Sequence, residues 1–338
     1  MVAARFLGGG VDRGHDDGIL LIGRFLIRRF PLALITLFIL SLIVFFGGQL
    51  LPGDVGRAVL GPLADARAVA NFDHQIGVDR PPLVQYRDWI GHFVVGEMGV
   101  SYVFRSPVAP FVIEALSNSL KLAGLAFCLV VPIGIAGGVA AALLAGRWGD
   151  RAIIILGQSL GVVPEFISSI VLILIFGVWL RWLPMSADWP DGAGPLTQLY
   201  YLILPSMPLV IIFFGYVARV ARTGAVEALE SDYTRTAVLK GLPWRTVLAR
   251  HVLRNALLPT ITISASLVGY LAGGLVVVET LFHYRGIGGL IYSAAKAKDF
   301  PMLEAGVLTI GVLYTAASLA GDLLSATLNP RLRAGAAA

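Results

Sequence analysis

Six long stretches of this chain carry almost no charge, and that pattern limits the fold more than any other feature. They run Phe30–Leu51, Leu122–Gly146, Ala152–Leu180, a stretch within Gly192–Ala218 that is apolar from Tyr200, Asn255–Val278, and Met302–Leu328. A helix that crosses a bilayer takes about 20 mainly apolar residues. Lipid offers the backbone no hydrogen-bond partner, so each stretch is expected to be helical. Only 14% of the 338 residues are charged and 57% are hydrophobic, against about 25% charged in soluble domains. A water-soluble core large enough to hide this much apolar surface is hard to build at this length. The expectation is an all-α polytopic membrane protein with six transmembrane helices.

The charges between the stretches orient it. Arg24, Arg28 and Arg29 precede the first stretch, and Arg147 and Arg151 join the second to the third. Seven basic residues from Arg219 to Arg254 lie between the fourth and fifth, and Arg331 and Arg333 follow the sixth. These segments alternate along the chain, so all of them can lie in the cytoplasm, as basic loops do. Both termini are then cytoplasmic, and the acidic pair Asp188 and Asp191 faces out. Arg285, Lys296 and Lys298 fall on the outer side against the trend. The net charge of +5 suits loops beside anionic lipid better than a nucleic-acid surface. The first stretch is uncharged from Phe30 to Gly53 and has no small-residue cleavage site, so it reads as an uncleaved span.

The expected division is a cytoplasmic tail over 1–29, a first span over 30–51 and an extracytoplasmic region over 52–113. A core of five spans follows over 114–328, with a cytoplasmic loop at 219–258, and a cytoplasmic tail closes the chain at 329–338. Within 52–113, Pro81 and Pro82 suit a helix start, and Leu83, Tyr86, Trp89, Ile90 and Phe93 recur at helical spacing. Residues 1–23 are rich in Gly and charge, and no regular structure is expected there.

The cytoplasmic loop reads as two short helices with a bend. Ser231 or Asp232 can cap the first helix, Tyr233–Lys240 supplies two turns, and Gly241 suits a left-handed residue after the helix end. Pro243 suits the first turn of the second helix, which places Trp244, Val247, Leu248 and Val252 on one face, and Pro259 marks the entry to the fifth span. Such a unit is either a solvated loop or a lever between a soluble motor and the membrane.

The stretch Tyr233–Pro259, YTRTAVLKGLPWRTVLARHVLRNALLP, resembles the signature loop of binding-protein-dependent ABC importer permeases. It is similar in particular to the dipeptide/oligopeptide/nickel permeases. LLPGD (Leu50–Asp54), DRPPLVQY (Asp79–Tyr86), GEMGVS (Gly96–Ser101), ETLFHYRGIGGL (Glu279–Leu290) and LNPRLR (Leu328–Arg333) stand in the order of that family's landmarks. Arg235 and Thr236 stand where the generic signature has an acid, as they do in this subfamily. The resemblance implies a type I importer transmembrane domain in a bacterial cytoplasmic (inner) membrane. It also implies that Asp232, Tyr233, Arg235, Thr236, Ala237, Lys240 and Gly241 form a coupling helix seated in an ATPase cleft. The implied partners are a second homologous permease subunit, two ATPase subunits or domains and an extracytoplasmic substrate-binding protein. The implied cargo is di- or oligopeptides, with nickel chelates or glutathione-like compounds as alternatives.

The chain is expected to carry no catalytic, cofactor or metal site, leaving ATP and Mg to the partners. Its four lysines stand outside any G-x-x-x-x-G-K-[ST] pattern. The lone Cys128 excludes an intrachain disulfide framework, and the five histidines are scattered. Gly157–Gly161, GQSLG, fits the nucleophile-elbow pattern around Ser159, but that motif needs a strand–turn–helix setting. The same pair, with Gly134–Gly138 and Gly269–Gly273, spaces small residues for close helix approach. Glu165, after Pro164 in the third stretch, is the candidate pathway residue. An acid deep in lipid costs at least about 2.5 kcal/mol and must face protein or water. Glu165 also keeps an ion-coupled secondary transporter open as a further reading. Glu279, Glu304 and Asp322 are expected at span ends. Trp179, Trp182, Trp189, Tyr200 and Tyr201 are expected in an outer aromatic belt.

Overall fold

A computed structural model describes residues 13–50, 55–61, 63–190, 192–273 and 275–328, all helix and connecting turn without a strand. The landmark residues 51–54 and 329–333, and Asp191, lie outside the described residues.

Helix α1 (Arg13–Leu50) begins well before Phe30, so residues 13–23 are helical, contrary to expectation. Three short helices follow: α2 (Val55–Leu60), α3 (Ala66–Ile76) and α4 (Pro82–Val94). Helix α4 is the amphipathic helix anticipated, with Pro81 at its cap and Pro82 as its first residue. Its Tyr86 and Trp89 rings pack on Phe45 of α1, with centroids 5.4 and 5.7 Å away. Leu83, expected on that face, is exposed.

The centre is α5 (Val108–Leu143) packed along α8 (Pro195–Glu230), the most extensive helix pair in the molecule. Small residues allow it. A Cβ on Gly138 would strike the Ala218 carbonyl and the Ala221 methyl, and one on Gly134 would lie 2.7 Å from Val217. Helix α6 (Trp148–Gly161) meets α8 in the same way, Gly157 against Gly215. The spaced glycines of the second and third stretches therefore do serve helix packing. Ser159 lies on an exposed position of helix α6 with no strand before it, so the hydrolase setting is absent.

The third stretch is not one rod. Helix α6 ends at Gly161 and α7 (Glu165–Leu172) starts after Pro164, bent from it by 104°. Proline removes a backbone donor and disfavours helix in the residue before it, which places the break at Val163–Pro164. Helix α7 continues as a π-helical stretch to Trp179. After α8 come α9 (Asp232–Leu239) and α10 (Trp244–Thr246), and α10 runs through a π-helical segment, Val247–Leu253, into α11 (Arg254–Gly273). Pro259 sits inside α11, not at its entry. Then come α12 (Val276–Leu281), α13 (Ile287–Ala297) and α14 (Phe300–Leu328). Among the described residues four helices are long and apolar enough to cross a membrane: α1, α5, α8 and α14. The bent α6–α7 pair makes a fifth if it counts as one span.

The molecule has two distinct ends. At one, Ala142, Ala225, Ala228, Ala237, Val247, Val252 and Ala256 form a cluster that joins α5, α8, α9 and the α10–α11 segment. At the other, Val108, Val112, Ile287, Ala294 and Met302 join the starts of α5 and α14 to α13. Trp179 and Trp182 are exposed near the second end, as a belt would be, but Trp189 turns inward onto the Tyr284 ring at 5.7 Å.

Candidate functional site

The first end carries α9, and its placement follows from short-range rules. Ser231 occupies the cap position, yet its hydroxyl turns back to donate to the Ala228 carbonyl at 2.6 Å and leaves the helix N–H groups alone. Thr234 donates to the same carbonyl at 2.7 Å. These two bonds tie the first turn of α9 to the last turn of α8. At its far end Gly241 is left-handed (φ 74°), its N–H reaches the Val238 carbonyl at 2.9 Å, and the Leu242 N–H reaches Ala237 at 3.4 Å. That pair of bonds is the Schellman closure that glycine favours.

Of the seven anticipated coupling residues, Asp232, Tyr233, Arg235, Thr236, Lys240 and Gly241 are exposed on one surface. Ala237 is not. It is buried with Thr234 one turn away, and the pair forms the inner face of α9. Thr234 is a further residue of this face, and its three-residue spacing from Ala237 is the signal for it. Between the polar positions stand exposed apolar side chains: Tyr233, Val238, Leu239, Leu242 and Trp244, with Leu239 at 80% exposure.

The second helix differs from expectation. Pro243 caps it and does not enter it. Val247 and Val252 are both fully buried while Trp244 is half exposed. Residues five apart stand about 140° apart on an α-helix. The wider π turns of Val247–Leu253 bring these two onto one face. Nearby, Arg222 of α8 grips Asp150 of α6 in a two-point pair, Nε to Oδ1 at 2.5 Å and Nη2 to Oδ2 at 2.7 Å. Asp150 also accepts the Gly146 N–H at 3.1 Å. Arg147 at the cap of α6, Arg151 in its first turn, and Arg219 and Arg222 in the last part of α8 thus share the α9 end of the molecule.

Glu165 is the first residue of α7, at the break itself. It is half-buried, and α7 packs on α8 and α12, so the structure does not join it to the anticipated coupling residues.

The opposite end is organised by Glu279, which is fully buried and not a simple span-end residue. Its carboxylate accepts the Ser119 hydroxyl, the Gly288 N–H at 2.8 Å and the Gly289 N–H at 3.1 Å. It therefore caps the start of α13, where an anion is favoured. A Cβ on Gly286 would occupy the carboxyl's place, and one on Gly288 would lie 2.7 Å from Val276, which accounts for two of the three glycines of ETLFHYRGIGGL. Tyr284 donates to the Asn118 carbonyl at 2.7 Å. Burial, with the Glu279 charge beside it, pushes the Tyr284 phenol above its ordinary pKa. Asp322 does lie near the end of its span, paired with Arg29. The described residues contain no cluster of His, Cys, Asp or Glu able to hold a metal ion.

Residues 134–334 match the family described as "Binding-protein-dependent transport system inner membrane component", and residues 22–122 match its N-terminal component. The chain is similar to a "Putative peptide transport system permease protein" of Brucella abortus, 34% identical over 309 residues, which cover 91% of this chain and 98% of the relative. It is similar to the "Glutathione transport system permease protein GsiC" of Escherichia coli K12, 34% identical over 310 residues with the same coverage. The two ends just described, and the helices joining them, lie within these matches. The chain accordingly belongs to the family of binding-protein-dependent transport system inner membrane components, the membrane permease subunits of ABC importers.

Proposed function

We propose that this chain forms half of a translocation pathway for peptides, glutathione-like tripeptides included, and is driven through α9 by a separate ATPase. The observation that carries the reading is the construction of α9. It is a two-turn helix, stapled to α8 by Ser231 and Thr234, closed by Gly241, and exposing an apolar and basic surface outward. A short rigid element with such a tip transmits displacement along α8 and the α10–α11 segment when a partner seizes it. The names of the relatives support the peptide class.

Six spans with both termini in the cytoplasm complete the picture, with α6–α7 as one broken span and α11 as another. The gathering of basic loops at the α9 end supports that orientation. ATP and Mg are then bound by two ATPase subunits or domains. Cargo arrives from an extracytoplasmic binding protein, and a second, homologous permease completes the channel. Glu165 stands at the broken span, where it can attract a peptide ammonium.

The test is reconstitution in vesicles of the complex that co-purifies with this chain. Uptake of labelled di- and tripeptides should require ATP and the binding protein. Gly241→Val should leave ATP hydrolysis running while uptake falls at least tenfold, because a β-branched residue resists positive φ. ATP-independent uptake, or normal coupling in Gly241→Val, would overturn the reading.

A further inference from the structure

A cavity of about 520 Å³ opens where α1, α4 and the start of α14 meet, at the end of the molecule opposite α9. Phe45, Trp89, Tyr102 and Phe300 wall it, and Glu304, Asp88 and Arg80 line it. Glu304 is only 6% exposed, and no described residue gives it a hydrogen bond or an ion pair. The Trp89 indole N–H is likewise buried without an acceptor. Buried carboxyls normally sit with a cation or with donors. Here the donor set is open on the side of the cavity.

The walls select the class of cation. A metal ion takes several oxygen ligands; Asp88 also lines the cavity but is paired with Arg80 and Arg87, and the described residues hold no group of three His, Cys, Asp or Glu able to bind a metal. Phe45 and Trp89 stack with ring centroids 5.7 Å apart. Aromatic faces attract organic ammonium groups, most strongly where water is excluded. Arg80 is half exposed and engages Asp88 only at 3.4 Å, which leaves guanidinium donors for an anionic group. Helix α1, which forms one wall, is little covered by the rest of the chain and exposes Phe38, Ile39 and Ile43 along its length. An acyl chain lying on α1 would bring a lipid headgroup to the cavity mouth.

We propose that this cavity binds a zwitterion by its primary ammonium, with Glu304 as counter-ion, Phe45 and Trp89 as the aromatic wall, and Arg80 taking the anionic half. The ammonium belongs either to a phosphoethanolamine headgroup or to the terminus of a free peptide. The site is separate from the broken span at Glu165 and from the α9 surface.

The experiment uses the full chain with its accompanying subunits, extracted in mild detergent. Native mass spectrometry counts retained phosphatidylethanolamine against N-acylated phosphatidylethanolamine and phosphatidylglycerol, neither of which has an ammonium. In parallel, calorimetry measures dialanine binding in nanodiscs of phosphatidylglycerol alone. Phosphatidylethanolamine retained at least tenfold over both other lipids, with the preference lost in Glu304→Gln, establishes the headgroup form. Dialanine binding that disappears in Glu304→Gln, with the three lipids retained equally, establishes the peptide form. The lipid series on the unaltered protein stands even if the variant folds poorly. Equal retention of all three lipids together with no dialanine heat overturns the proposal and leaves a water-filled cavity. So does any ammonium preference that survives Glu304→Gln.

Discussion

Two helix–break–helix junctions sit at opposite ends of this molecule, and they are built on opposite plans. The α9–α10 junction packs alanine and valine inward and presents its polar and large apolar side chains to the outside. It is held by two hydroxyl bonds to one carbonyl and by a glycine turn. The α12–α13 junction is wrapped around a buried carboxylate that satisfies two backbone N–H groups and a serine. The first can be grasped and moved as a unit because little of it is locked by charge. The second resists movement, because any displacement strands a desolvated carboxylate. If α9 is the coupling element proposed above, the two plans suit a handle at one end and a fixed point against which it works.

Substitutions can break this contrast. Glu279→Ala should have the largest effect, since it leaves Gly288, Gly289 and Ser119 without their shared acceptor. Hydrogen bonds to a charged group are worth about 1.5–3 kcal/mol, so a loss of about 3 kcal/mol is expected in unfolding measured in mixed micelles. A near-normal unfolding curve would show that the two junctions do not differ as claimed. Thr234→Val removes one neutral bond from the handle and should cost about 1 kcal/mol. It should also loosen α9 from α8, seen as faster amide exchange in α9 than in α13. Leu239→Asp should leave stability within about 0.5 kcal/mol, as exposed surface changes do, yet cut recovery of the ATPase with the purified chain severalfold. A destabilised Leu239→Asp would mean that the tip is packed within this chain and not kept for a partner. Glu165→Gln belongs to neither junction and should have the smallest effect on folding. Its readout is uptake of peptides with free against acetylated N-termini, and an unchanged preference removes Glu165 from the pathway.

The contrast also marks what was legible beforehand. The bounds of α9 are legible in the sequence, because a helix start, a glycine closure and a proline restart are decided within a few positions of each other. Even there, the inward turn of Ala237 and the π geometry that buries Val247 with Val252 were not read. Both depend on what α9 and α10 pack against. At the fixed point the sequence offers Glu279 only as a span-end acid within a landmark, and not its capping of α13. Glu279 and Ser119 are 160 residues apart in the chain, and a lone acid near the edge of an apolar stretch looks the same whether it caps a helix or meets water. The Arg222–Asp150 pair, 72 residues apart, was hidden for the same reason.

Taken alone, the sequence determined that this chain is helical, that it lives in lipid, and where the short helix α9 of its basic loop begins and ends. Hydropathy, glycine and proline act locally, and the bilayer forbids most alternatives to a helix. Only the tertiary structure decided that the third apolar stretch bends by 104°, that Glu279 anchors α13, and that Glu304 faces a cavity. Each of these depends on which distant helix approaches, and approach is set by small-residue contacts such as Gly138 against Ala218, whose partners cannot be matched from spacing within a single helix.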